Sequence, residues 1–406
     1  MNVPKLRFKD NNDNDYPNWV NSTIGKSGYF YYGKSAPKWS ITDTATTPCV
    51  RYGELYTTHN IIVKKIYSYT NIPKENLKFS TGNEVLVPRV GEEPLDFCKC
   101  CYLPFKDVAI GEMISVYNTK NNPLFISYMF NGTMKYKFAR LVEGGNVSNL
   151  YYSYLENISI NLPCLEEQKK IANFLSTVDK KITNLENTIT SLENQKEGLL
   201  QQIFSQKLRF KDKNGNNYPN WEKKKLGDIG SFSRGGNLSK SDLSKKGTSC
   251  ILYGELYTYY NEFATEIKSK TLNTTNLVLS KKYDVLLPLS GETAEDISTC
   301  TCIFFDDIAL GSDLLIFRSS FFDGRFMSLL LKYKYKYKIA QIAQGKSIVH
   351  ISEKNIKNIN IKIPCIEEQQ NIADFILIFT KKLENQKAQL EHWKQIKKGL
   401  LQQMFV

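Results

Sequence analysis

From Glu166 onward, apolar residues fall at Ile171, Leu175, Val178, Ile182, Leu185, Ile189, Leu192 and Leu199. The steps alternate four and three and close on seven, which is the seam of a heptad repeat. A second seam runs through Ile372, Ile376, Phe379, Leu383, Leu390, Trp393 and Leu400, with Gln386 and Lys397 at polar seam positions. Pro163 and Pro364 stand just before the two runs, and Glu166-Glu167 and Glu367-Glu368 fill the first turns, where the helix dipole favours anions. The pattern predicts two helices of about 38 residues, roughly 57 Å each at 1.5 Å per residue. An apolar stripe on a lone helix needs cover. Two equivalent helices in one chain supply it, so the expected arrangement is an antiparallel pair with a globular domain at each end. The alternative, two coils that each recruit another chain, requires a second protein.

The seams belong to a longer repetition. YGELYT is written at Tyr52 and again at Tyr253, KLRFKD at Lys5 and Lys207, and YPNW at Tyr16 and Tyr218. VLVP from Val85 answers VLLP from Val285, KYKFA from Lys135 answers KYKIA from Lys336, and PCLEEQ from Pro163 answers PCIEEQ from Pro364. GLLQQIF from Gly198 answers GLLQQMF from Gly399, and every offset lies between 200 and 202. A period of that length is a duplicated domain, far too long for a solenoid repeat. The division expected is a domain over 1–162, a helix over 163–205, a domain over 206–363 and a helix over 364–406. KLRFKD precedes the first domain and follows the first helix, so the N-terminal strip should pack beside the end of the second helix. Within the domains, short runs such as EVLVP, DVLLP and CIFFDDIAL read as strands, and Leu124–Leu141 and Phe326–Ala343 as helical, which gives an α+β class.

Composition then narrows the function. The chain carries a net charge of +13, which favours a polyanion partner. No stretch approaches the ~18 apolar residues of a membrane helix, and MNVPKLRFKDNND has no apolar secretory segment, so a cytoplasmic protein with no membrane partner is expected. Of nine cysteines the repeat pairs Cys49 with Cys250, Cys98 with Cys300, Cys100 with Cys302, and Cys164 with Cys365. Their spacings suit buried core positions better than a zinc site. GYFYYGKS, Gly28 to Ser35, matches the P-loop letters, but four aromatics fill it, Pro37 follows and the second copy lacks it. The three histidines, His59, His350 and His392, do not recur at equivalent positions, and no nucleophile or metal-ligand grouping is visible. The expectation is a chain without catalytic residues, metal or cofactor of its own.

Nucleic acid is the better-supported partner. KYKYKYK from Lys332 to Lys338 places Lys334 and Lys336 among alternating cations, as a strand or helix with several ammonium groups on one surface. Lys34, Lys38, Lys135, Arg234, Lys245 and Lys246 extend the basic set, suited to phosphates. Base readout needs directional donors and acceptors. Three loops recur with a repeated frame and altered neighbours: Arg51-Tyr52-Gly53-Glu54 against Leu252-Tyr253-Gly254-Glu255, Arg89-Val90-Gly91-Glu92 against Leu289-Ser290-Gly291-Glu292, and Gly144-Gly145-Asn146 against Gly345-Lys346-Ser347. They nominate Arg51, Tyr52, Glu54, Arg89, Glu92 and Asn146 in the first half, and Tyr253, Glu255, Ser290, Glu292, Lys346 and Ser347 in the second. The glycines themselves read as turns of the fold.

PCLEEQKKIANFLSTVDKKI and PCIEEQQNIADFI, each closing a domain and opening a long helix, resemble the specificity subunit of Type I restriction-modification enzymes. YGELYT and VLLP with its following Gly-Glu resemble that family's target-recognition domains, and the resemblance covers essentially the whole chain, twice. One departure is VNSTIGKSGYFYYGK after Trp19, where the second half has EKKKLGDIGSFSRGGN after Trp221. The resemblance implies two tandem pseudo-symmetric α/β target-recognition domains separated by two long antiparallel coiled-coil helices. It implies a non-catalytic chain that reads a bipartite double-stranded DNA site through the major groove, the helices setting the spacing. Two methyltransferase (modification) subunits would dock on the helices, bind S-adenosylmethionine, flip an adenine in each half-site and methylate it at N6. Restriction/translocase subunits, with ATP and Mg, would cleave unmodified DNA. Roughly 57 Å of helix matches about 17 base pairs at ~3.4 Å each. A free-standing DNA methyltransferase or nuclease, and a coiled-coil scaffold with incidental basic charge, are the competing readings.

Overall fold

Both heptad seams are helices, Leu165–Phe204 and Ile366–Met404, in a computed structural model that describes residues 4–345 and 349–405. The chain divides into two units, Met1–Glu186 with Ala388–Val406, and Asn187–Lys387. Each long helix contributes one part to each unit. In the first unit Lys394 pairs with Glu186 (3.3 Å) and Lys397 with Asp179 (2.6 Å). In the second, Lys387 pairs with Glu193 at 2.7 Å, while Leu200, Ile203 and Phe204 share a core with Ile372, Ala373 and Ile376. Within each unit one residue number falls as its partner's rises, so the helical parts run antiparallel. The exposed ion pairs are worth little. The seam holds the pair: Ile171, Leu175, Val178, Leu185, Ile189, Leu192, Ile372, Ile376 and Leu383 are buried, and Ile182, Phe379, Leu390 and Trp393 half-buried.

The two domains repeat one topology. In the first, Gly28–Tyr32, Ile114–Thr119, Glu84–Pro88 and Cys101–Leu103 form an antiparallel sheet; in the second, Ser231–Arg234, Leu314–Arg318, Val285–Pro288 and Thr301–Ile303 do so in the same order. A second sheet in each half contains a parallel pair, Thr47–Val50 with Lys106–Ile110 and Thr248–Ile251 with Ala309–Leu310. The sequence departure after Trp19 leaves this frame intact. Val20–Thr23 pairs with Ser159–Leu162 just as Glu222–Lys225 pairs with Asn360–Ile363. The helical stretches lie at Pro123–Gly132 and Lys135–Ala139, and at Gly324–Leu329 continued by a π turn and Lys336–Gln341.

The recurring PC-x-EEQ phrase is a latch between strip, domain and helix. Glu167 is fully buried and accepts both prongs of the Arg7 fork, Nε at 3.0 Å and Nη2 at 2.7 Å; Glu368 accepts Arg209 in the same way at 3.1 and 2.6 Å. Such bidentate pairs are geometrically specific and satisfy the buried carboxylate. Gln168 accepts the Asn122 amide at the domain helix's N-terminus and donates to the Pro163 carbonyl, and Gln369 repeats this with Asp323 and Pro364. The strip behaves as its position in the repeat requires. Leu6 N–H donates to the Gln403 carbonyl at 3.0 Å, as Leu208 does to Gln202 at 3.1 Å, and Phe8 meets Phe174 edge-on as Phe210 meets Phe375.

The structure accounts for the P-loop letters and changes two local expectations. GYFYYGKS begins with a sheet strand, and a Cβ on Gly33 would lie 2.0 Å from the Gly111 carbonyl oxygen, so close strand approach explains that glycine. The strand register makes Cys100 equivalent to Cys300 and Cys302 to Tyr102, two residues off the pairing by sequence. Cys49, Cys98, Cys100, Cys101, Cys250, Cys300 and Cys302 are buried thiols, and burial lifts Cys250 to about 11 and Cys300 to about 12. KYKYKYK is not a row of free ammonium groups. Lys332 donates to Asn261, Lys334 to the Phe204 carbonyl while lying over Trp221, and Lys336 pairs with Glu295. These cations fasten the π turn and its neighbours within the second unit, and the alternation hid this because it carries no information about partners distant in sequence.

Candidate nucleic-acid interface

YGELYT begins a short helix after a strand, Tyr52–Thr57 in the first half and Glu255–Thr258 in the second. Glu54 turns back to accept the Arg51 amide at 2.7 Å and the Ser68 hydroxyl at 2.6 Å. Glu255 is buried, accepts the Leu252 amide at 2.8 Å and pairs with the Ser269 hydroxyl. The two carboxylates satisfy helix-start donors, so each is already engaged within its own domain. Tyr52 and Tyr253 pack partly against the domain cores. The first and second recurring loops are joined by Tyr56, whose hydroxyl donates to the Val90 carbonyl at 2.9 Å. A Cβ on Gly91 would sit 2.7 Å from that hydroxyl oxygen and push it aside, so the close approach favours glycine here.

The second and third loops form one ribbon. Val90-Gly91 pairs with Ser148-Asn149, which pairs with Glu143-Gly144; Ser290-Gly291 pairs with Val349-His350 in the second half. Two backbone bonds fix its root in each copy. Arg89 N–H donates to Met113 O at 3.0 Å and Leu150 N–H to Arg89 O at 2.8 Å; Leu289 N–H donates to Asp313 O at 2.7 Å and Ile351 N–H to Leu289 O at 3.0 Å. Met113 and Asp313 both take the left-handed conformation, at φ 63° and 56°. Asn146, Glu92 and Glu292 are exposed beside the ribbon, and Lys346 and Ser347 lie outside the described residues.

On this shared frame the linings are exchanged. In the first half the Arg89 guanidinium lies 4.4 Å from the Tyr32 ring centre and 5.7 Å from that of Tyr151, and its Nε is buried with no hydrogen-bond partner. Burial raises the Tyr32 hydroxyl pKa, with Arg89 opposing. In the second half Leu289 replaces Arg89, Arg234 replaces Tyr32 and Ser352 replaces Tyr151, by strand register and ladder bonds. The result is a polar cavity of about 320 Å³ lined by Arg234, Ser290, Asp313, Gln344, His350 and Asn355. Ser290 Oγ bridges Asp313 Oδ2 (3.0 Å) and His350 Nδ1 (2.9 Å). The serine stands between acid and base and is itself buried, so this is not the base-activated nucleophile of a hydrolase. Tyr32, Tyr151, Asp313 and His350 were missed in the sequence because no motif marks them; the strand register identifies them.

Lys34, Lys38, Lys245 and Lys246 are exposed, Arg51 and Lys135 half-buried. Lys245 and Lys246 form no ion pair among the described residues, which suits them to phosphate. Lys245→Ala with Lys246→Ala is expected to weaken DNA binding of the assembled complex equally for all sequences. The slope of log affinity against log salt should fall by up to ~0.9 for each phosphate no longer engaged. A titration at several salt concentrations on matched and scrambled duplexes checks this, and an unchanged slope would remove both lysines from the interface. The first unit also holds a groove of about 1300 Å³, lined in part by His59, Lys64, Lys99, Lys180, Lys394 and Lys398. There Asn131-Gly132-Thr133 stand at the repeat positions that Lys332-Tyr333-Lys334 occupy in the second half. Burial lowers the His59 pKa, and its Nε2 is buried without a partner. Among the described residues no cluster of His, Cys, Asp or Glu is placed to hold a metal, and no helix is long and apolar enough to cross a membrane.

Two copies of one α+β domain, each clamped to a helical pair and each presenting a differently lined site on one frame, define a tandem recognition module. The chain belongs to the family described as the Type I restriction modification DNA specificity domain, which matches residues 8–194 and 218–392. It is 25% identical over 317 residues, 74% of either chain, to the specificity subunit of the Type I restriction enzyme MjaVIII of Methanocaldococcus jannaschii. Its fold is similar to the S subunit of a Type I restriction-modification system from M. genitalium, with a TM-score of 0.63 and 17% identity over 100% of this chain and 99% of that one. It is similar also to a chain solved in work on complex assembly and conformational transition of the type I R-M system, with a TM-score of 0.55 and 14% identity over 96% of this chain and 98% of that one.

Proposed function

We propose that this chain reads a bipartite DNA site, one half with each domain, and carries out no chemistry itself. The observation that supports this most directly is the exchange of linings on a repeated frame: Arg89, Tyr32 and Tyr151 against Leu289, Arg234 and Ser352. A duplicated catalytic domain would keep its reacting groups. A duplicated reader keeps the frame and changes the donors and acceptors aimed at base edges. Two modification subunits dock on the helices, bring S-adenosylmethionine and methylate an adenine in each half-site. Restriction subunits bring ATP and Mg. The exposed lysines position the duplex through its phosphates.

Exchanging residues 20–162 for the same segment of another recognition domain tests this. The exchange leaves Arg7, Trp19 and Glu167 in place, so the first latch persists. Methylome sequencing of cells carrying the chimera with its partner subunits should show one half of the modified motif replaced and the other kept. If both halves change together, the two-reader proposal is wrong.

A further inference from the structure

We propose that the Arg89 guanidinium, stacked by Tyr32 and Tyr151, reads a guanine of the first half-site, and that the second half-site lacks this requirement because Leu289 stands at the equivalent position. This rests on the DNA-reading function above and assigns a base to one of its two sites. The backbone of Arg89 is fixed on both sides, by its amide to Met113 and its carbonyl from Leu150. Its side chain forms no ion pair among the described residues, although salt bridges take up the forks of Arg7, Arg209, Arg318 and Arg325. The rings hold the guanidinium by cation–π contact, at 4.4 and 5.7 Å, and offer it no acceptor that would use up its donors.

The buried Nε–H has no acceptor within the domain, so the fold does not spend this guanidinium on an internal polar contact. The fork presents donors only, in one plane. In the major groove guanine offers two adjacent acceptors, O6 and N7. Adenine sets an amino donor beside its N7, cytosine presents a donor, and thymine a single acceptor and a methyl group. Guanine therefore satisfies the fork with two parallel bonds, and each alternative leaves a donor unmet or opposed. Stacking reduces the rotamer freedom lost when the bonds form.

The second half shows that the position tolerates a different chemistry. Leu289 is buried, and the arginine of that site comes from the edge strand, two places away in the sheet, as Arg234, exposed, with Asp313, Ser290 and His350 supplying other polar groups across the cavity. The two half-sites should differ at the base each frame addresses.

The experiment uses the assembled methyltransferase with the chain as parent, Arg89→Leu or Arg89→Lys. Binding is measured on a panel of single-base variants of its site at two salt concentrations, and the methylated motif is read in cells. Arg89→Leu puts at this position the residue that its counterpart already bears on the same backbone frame, and urea unfolding read on the first unit reports that its fold is retained. The expected result is that one guanine in the first half-site ceases to matter, with affinity for the parent site falling about 10- to 100-fold and the salt slope unchanged. Arg89→Lys should fail to restore the guanine preference. The inference is overturned if Arg89→Leu keeps every base preference, or if affinity falls alike for all sequences as the slope drops by ~0.9, which makes Arg89 a phosphate-binding residue. A parent complex that recognises no motif overturns the underlying function instead, and so is distinguishable.

Discussion

Glu262→Ala should destabilise the second unit by about 3–5 kcal/mol, the range seen when one partner of a buried ion pair is removed. Glu262 is fully buried and gathers four donors or cations from three elements. Lys196 comes from the first long helix and Thr380 from the second, at 3.1 Å; Tyr333 donates from the π turn at 3.2 Å, and Lys332 lies close enough to act on it electrostatically. Removing the carboxylate leaves Lys196 buried beside a hole. Glu262→Gln retains acceptor capacity without the charge and should fall between the parent and the alanine variant. Urea unfolding, read on the transition of residues 187–387, measures both. If Glu262→Ala shifts that transition by less than ~1 kcal/mol, the cluster is not what fastens the helices to this domain.

The pH dependence has a defined sign. Burial alone would raise the Glu262 pKa, but Lys196 and Lys332 outweigh it, and the folded value lies below the ordinary 4.5. A carboxyl with a depressed folded pKa adds stability that is fully present above the ordinary carboxylate range and is lost as pH falls through the folded value. Glu384, on the second long helix, is raised by burial first and by Glu262 second, so it gains its proton earlier on acidification. The parent's acid limb below pH ~4.5 should therefore be less steep in Glu262→Gln.

How much was readable in the sequence differs between frame and site for a physical reason. The heptad seams and the Pro-to-Glu helix starts are local, periodic signals, and 40- and 39-residue helices follow from them. The latch is readable in part. KLRFKD and PC-x-EEQ both recur, but their meeting through Arg7 and Glu167, 160 residues apart, is tertiary. For Glu54 and Glu255 the repeated Gly-Glu was legible, but the helix-start donors that engage them were not. For Lys334 and Lys336 the Lys-Tyr alternation shows the cations and not the acceptors that engage them. The linings at Arg89 and Asp313 were half-hidden. The repeat marked Arg89 against Leu289, whereas Tyr32 against Arg234 emerges only from strand register, since the surrounding letters in the two halves no longer resemble each other.

A matched deletion of seven residues from each long helix, Asn184–Thr190 with Ala388–Lys394, should keep both half-sites and shorten the gap between them by about three base pairs, since seven residues rise ~10.5 Å. Seven preserves the heptad in each helix, so seam residues still meet seam residues. Matching preserves register within the units: Asp179 keeps Lys397, and Glu193 keeps Lys387. Four residues removed from Thr183–Glu186 alone should behave differently. That deletion takes out the buried seam residue Leu185, turns the rest of that helix by about 40° against its partner and leaves Lys394 without its Glu186 partner, so unfolding at lower denaturant is expected before any change of motif. The single and the matched deletion thus separate loss of stability from change of spacing. The measurement is the methylated motif in cells carrying each variant with the partner subunits. If the matched variant methylates DNA at the parent spacing, the length between the readers is set elsewhere, and the helices are struts for the partner subunits instead of a ruler.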